Sequence, residues 1–109
     1  MAHCPPEMLD DLTEVLAAVR RWPSIHEQKL GVYYIARTPF LHFHALRLGR
    51  VADSRDGRDW GEQIPLAYPI GPTRRRAFLR ELRRRYRHTA AALGLALEDE
   101  ALTVRDRSA

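Results

Sequence analysis

Lysine is almost missing from this chain, cysteine occurs once, and no run of apolar residues is long. Each scarcity removes a class of explanation. Cys4 has no partner for an internal disulfide, and a cage of several thiolates around zinc is ruled out within one chain. Its place beside the amino terminus reads as a plain surface thiol, because a nucleophile needs a base held against it. No apolar stretch approaches the roughly 20 residues that a membrane-spanning helix needs. The opening MAHCPPEMLDD carries prolines and acids where a secretory leader would carry basic and then apolar residues. The expectation is a cytoplasmic protein with no membrane association. The glycines compose neither a GxGxxG turn nor a phosphate loop, and no GxSxG is present. No reaction can be named from motifs, no cofactor is implied, and the reading leans away from an enzyme.

What is abundant is arginine. Lys29 is the sole lysine among 18 basic residues, and the formal net charge is +4. So uniform a choice of base speaks of composition, so arginine number alone is a weak argument for a nucleic-acid partner. With 45% hydrophobic and 29% charged residues, the 109-residue chain has the balance of a folded protein with one modest core.

Periodicity then places the elements. From Pro5 to Arg21, Met8, Leu9, Leu12, Val15, Leu16 and Val19 recur at helical spacing, with acids early and Arg20 and Arg21 late, as the helix dipole favours. Residues 30 to 66 read as strands instead. LGVYYIART is broken at Thr38-Pro39, FLHFHAL follows, and Leu48-Gly49-Arg50 offers a turn into RVADSR. Asp56-Gly57 signals a hairpin, with RDWGEQIPLAY returning. A second helix begins at Gly71-Pro72, with Thr73 as its expected N-cap, and ends near Gly94. The expected fold is a single α+β domain over 1–109. It is a two-layer sandwich of an N-terminal helix, a three- to four-stranded antiparallel meander and a C-terminal helix, with 1–6 and 98–109 as loose ends and LTV near the end as a further short strand.

Strand geometry assigns faces. Phe40, His42, His44 and Leu46 share one side of their strand; Leu41, Phe43 and Ala45 share the other and suit the core. The histidines then look toward the sheet face that no helix is left to cover. Two histidines two residues apart can ligate one divalent metal, with Asp53 as third ligand and His26 or His88 as less favoured ones. The plainer account is two histidines that pack and hydrogen-bond on a sheet face. Trp60 is either a lid over the core edge or an exposed anchor for a partner. Asp53, Asp56, Asp59 and Glu62 lack the spacing of a calcium loop. On the last helix, steps of about 100° put Arg76, Arg80, Arg83, Arg84 and Arg87 opposite Leu82. That row can follow a phosphate backbone, or it is a solvated face with Glu81 offsetting Arg84 or Arg85.

With WPSI after the first helix, His42 and His44 at the centre, Ala52-Asp53, Trp60-Gly61 and Pro65-Leu66 in place, the segment from about 22 to 88 resembles the bacterial luciferase-like domain family, related to fungal luciferases. The order of elements is also similar to the YjbR-like (MmcQ-like) small domains, some of which have been proposed to bind DNA. Neither resemblance brings a catalytic residue to a position of this chain. It lacks the extra length of the fungal enzymes, so light-emitting chemistry is not carried over. Three function classes follow. The outer face around His42, His44, Asp53 and Trp60 suits a small binding or interaction module, homodimerising through that face in one form. The arginine helix suits a nucleic-acid binder. A small metal-dependent or acid–base enzyme would centre on His42, His44 and Asp53.

Overall fold

Alternating side chains on two long neighbouring strands organise the computed structural model, which describes residues 2–95. In chain order the elements are β1 (Ala2–His3), a 3-10 helix (Pro6–Leu12), α1 (Thr13–Arg20), β2 (Ile25–Lys29), β3 (Val32–Ile35), β4 (Thr38–Leu46), β5 (Gly49–Asp56), β6 (Asp59–Trp60), β7 (Ile64–Leu66) and α2 (Pro72–Ala92). The strands form one antiparallel sheet ordered β2-β3-β4-β5-β6, with β1 added beside β4 and β7 beside β5. Helical residues Val15, Leu16, Val19, Phe78, Leu82 and Tyr86 join sheet residues Tyr33, Ile35, Leu41, Phe43 and Ala52 in a single buried cluster. Phe43 meets Phe78 edge-on at 6.2 Å, and Trp22 packs on Tyr86 at 4.9 Å. This is the α+β sandwich expected, with the helices on one sheet face.

The sheet has more strands than three or four. IHEQK reads as polar because β2 is an edge strand that packs only Ile25 against the core and leaves His26–Lys29 exposed. RDWGEQIPLAY supplies two short strands, β6 and β7, both paired with β5 and separated by Gly61, Glu62 and Gln63. Residues 2–6, expected to be loose, are tied down: Ala2 and His3 pair with Ala45 and His44, and the Cys4 N–H donates to the Phe43 carbonyl. Cys4 is therefore a core thiol, not a surface one. Thr38 and Pro39 belong to β4. The break before it is Ala36-Arg37, where Ala36 takes a positive φ of 52°. Gly71, and not Thr73, caps α2, with Pro72 in the first helical position. The LTV segment and the expected loose end 98–109 lie outside the described residues.

Two local features explain departures from simple periodicity. Tyr33 pairs with Leu41 and Tyr34 with Pro39, so Phe40 is the extra residue of a β-bulge. Its side chain consequently joins the core, fully buried and edge-on to Tyr86 at 6.2 Å, and does not share the outer face with His42. The first helix is also divided. An α-turn would give the Met8 carbonyl to the Leu12 N–H. Here Arg50 Nη1 donates to that carbonyl, and the chain through Pro6–Leu12 winds as a 3-10 helix before α1.

Arg50 faces the helices and is buried. Its guanidinium binds both oxygens of Asp11, at 2.7 and 2.6 Å, and donates to the Ala67 carbonyl at 2.9 Å. Asp11 also accepts the Ile70 N–H at 2.7 Å. Burial pushes the Asp11 carboxyl up, but hydrogen bonds from Arg50 and the Ile70 N–H outweigh it and hold the group below its usual value. Removing one partner of such a pair strands the other charge in a dry site.

Two stability outcomes follow from this packing. Asp11→Asn should cost about 3–5 kcal/mol in urea denaturation at pH 7. The folded-state value of Asp11 is depressed, so its contribution is present above the unfolded value of 3.8 and is lost as pH falls through the folded one. The variant should therefore lack that part of the acid-induced loss. Phe40→Ala should cost about 3–5 kcal/mol, the loss for a core phenylalanine, where an outer-face position would lose little. A loss below roughly 1 kcal/mol would return Phe40 to the surface.

Candidate ligand site on the outer sheet face

Beyond the bulge, β4 resumes strict alternation. Leu41 and Phe43 point inward, and His42 and His44 outward. Across the ladder His42 stands opposite Asp53 and His44 opposite Val51. The Asp53 carboxylate leans toward both imidazoles: its Oδ2 lies 2.9 Å from His44 Nε2 and 3.9 Å from His42 Nδ1. The first is ion-pair distance and the second lies at the outer edge of that range. The two imidazoles meet edge-on with centroids 4.6 Å apart. All three side chains are largely sheltered, at 25%, 16% and 16% exposure for His42, His44 and Asp53.

Neither His42 Nδ1 nor His44 Nδ1 has a hydrogen-bond partner among the described residues, although both atoms are buried. Buried polar nitrogens left unmet are uncommon in folded proteins. Burial is the largest influence on His42 and pushes its pKa down. Neighbouring His44 and, more weakly, His3 add to this, while Asp53 opposes it. The ring is thereby favoured as neutral imidazole, the form that accepts a hydrogen bond or ligates.

The walls come from flanking strands. Trp60 on β6 touches His42 at 4.9 Å between ring centroids, and the Arg55 guanidinium lies 4.7 Å over the indole. Arg55 is held by Nε–H donation to the Pro39 carbonyl at 2.6 Å. At 44% exposure, Trp60 forms the rim of the histidine cluster and is not a lid over the core. On the opposite side, β1 sets His3 directly against His44, with ring centroids 6.4 Å apart. His3 is the residue that sequence reasoning missed. A two-residue strand has no periodicity to read, so nothing in the sequence marks it.

The other candidates separate from this cluster. His26 is exposed on edge strand β2, and His88 on α2 bonds Asp56 at 2.7 Å. Asp56 also binds Arg84 at 2.9 Å, so the acids of the 53–62 stretch do not converge. Along α2, Arg76, Arg80 and Arg87 are exposed, Arg83 lies 5.9 Å over Trp22, and Arg84 binds both Glu81 and Asp56. Arg85 is buried, bonding Glu81 at 2.8 Å and the Ser54 carbonyl at 3.2 Å. Arg84 and Arg85 together hold the Glu81 carboxyl down to about 2 against the opposing pull of burial. The arginine row is therefore interrupted by internal ion pairs at its middle. A groove of about 280 Å³ between β7 and α2, lined by Leu66, Ile70 and Phe78 among others, contains none of the histidine cluster.

The 2.9 Å approach of Asp53 Oδ2 to His44 Nε2 makes a prediction about tautomer. The carboxylate oxygen beside Nε2 favours the ring form with its proton on that nitrogen and Nδ1 bare. Long-range ¹H–¹⁵N correlation of the imidazoles should show that tautomer, and Asp53→Ala should shift the population toward Nδ1–H. A His44 ring protonated on Nδ1 in the parent chain would contradict the geometry. No helix of the described residues is long and apolar enough to cross a membrane. No family model, no curated protein and no solved structure matches the chain, and the functional reading rests on the chemistry of its own residues.

Proposed function

We propose that this chain is a small cytoplasmic binding module that receives its ligand on the outer face of β4 and β5, among His42, His44, Asp53 and Trp60. The observation that carries the reading is the pair of buried, partnerless Nδ1 atoms on adjacent imidazoles. A buried acceptor left unmet costs about 1–3 kcal/mol, a cost that persists at sites where a ligand relieves it. The surroundings suit recognition. Trp60 offers a half-exposed aromatic wall, Arg55 a cation above it, and Asp53 a sheltered carboxylate. Polar groups converging beside an aromatic surface are the usual make-up of a small-molecule site. The arginine helix supports a nucleic-acid interface less well, because Arg84 and Arg85 are committed to Glu81.

The reading is tested by a fragment screen followed by amide and imidazole NMR. Binders should perturb His42, His44, Asp53, Arg55 and Trp60 most strongly. Perturbations centred on α2, or on the groove by Leu66 and Phe78, would place the binding surface elsewhere.

A further inference from the structure

We infer that His42, His44 and Asp53 form a site for one divalent first-row transition ion of the zinc class. This deepens the reading above and shares its face of the sheet. One ligand atom from each of the three residues lies within 4.8 Å of the other two. A zinc ion bonds imidazole nitrogen and carboxylate oxygen at roughly 2.0–2.2 Å, so donors around a tetrahedral ion stand roughly 3.3 Å apart. The separations from Asp53 Oδ2, 2.9 Å to His44 Nε2 and 3.9 Å to His42 Nδ1, fall on either side of that value. All three donors already project from one face of paired strands, His42 standing directly opposite Asp53.

The donor set selects the ion. Two imidazoles and one carboxylate suit zinc, cobalt or iron, whereas calcium and magnesium require oxygen ligands. A plain ion pair would engage Asp53 with a single histidine. Here a second imidazole is stacked edge-on against the first, with its buried Nδ1 aimed at the same carboxylate oxygen and bonded to nothing among the described residues. A metal ion meets that nitrogen, His44 Nε2 and the Asp53 carboxylate together, and the neutral His44 ring then carries its one proton on Nδ1. Three protein ligands leave a fourth position for water or an exogenous donor, as open zinc sites do. His3, opposite His44 on β1, is a further imidazole beside the site, its ring centroid 6.4 Å from that of His44.

The test uses the chain without a polyhistidine tag, stripped with a chelator and titrated with Co²⁺, then with Zn²⁺ in competition. One equivalent of Co²⁺ should bind with visible d–d absorption, and Zn²⁺ should displace it. Asp53→Asn and His44→Gln keep side-chain size, and circular dichroism confirms that each variant is folded. Each should weaken binding at least about 100-fold, the upper effect of removing even an outer-shell partner. Absence of Co²⁺ bands, or bands that survive in both variants, overturns the metal site. So does binding that depends on His3 but not on Asp53, which would put the ion at the amino terminus. If the metal fails while fragments still perturb Trp60, the binding face stands with a different ligand. Loss of both removes both proposals.

Discussion

The antiparallel pairing of β4 with β5 is the constraint from which both the core and the candidate site follow. With Leu46 opposite Gly49 across a two-residue turn, every later partner is fixed, and His42 must stand opposite Asp53. The same ladder turns Leu41, Phe43, Ala52 and Ser54 toward the helices. A slip of one residue on β4 would exchange the faces, putting two imidazoles into the core and Phe43 into water. Burying Phe43 and Leu41 contributes about 1.5–3 kcal/mol each. The register is therefore decided by several kcal/mol. The bulge at Phe40 sits just before this stretch, so it recruits one more aromatic to the core without disturbing the histidines.

Inside the sandwich, one ion pair connects segments far apart in sequence. Arg50 on β5 reaches Asp11 and the Met8 carbonyl in the 3-10 helix, and the Ala67 carbonyl after β7, while Asp11 takes the Ile70 N–H ahead of α2. A buried ion pair of this kind contributes little net energy against apolar residues of similar volume. Its effect is positional: it sets the amino-terminal segment against the sheet, and β1 continues from there onto β4. His3 reaches the histidine cluster by way of that anchorage.

Much of the fold was legible because helical and strand periodicities are strong where the core is built. The apolar stripes of α1 and α2 and the alternation of FLHFHAL are examples. The split of outer His42 and His44 from inner Leu41 and Phe43 was readable from the period of two alone. Phe40 was not, since a bulge is a pairing event between strands and leaves no trace in one of them. β2 was missed because an edge strand with one residue, Ile25, against the core is free to be polar elsewhere. The Arg50–Asp11 pair had a faint signal. Asp11 sits beside the apolar stripe of its helix, four residues before Val15. But the sequence suggests a turn at Leu48-Gly49-Arg50, whereas the turn is Arg47-Leu48 and Arg50 lies in β5 opposite Ala45 on the inner face. The Arg84–Glu81 and Arg85–Glu81 pairs were readable from helical spacing, while the further tie of Arg84 to Asp56 required the tertiary fold.

The central claim is that His42 and His44 turn outward together and face Asp53 and Trp60, away from the helices. Nuclear Overhauser contacts from the His42 ring protons test it most directly. The His42 and Trp60 ring centroids are 4.9 Å apart. Cross-peaks between the His42 imidazole and the Trp60 indole are the predicted result. Cross-peaks from the His42 ring to Phe78 or Leu82 would place it in the core and contradict the account.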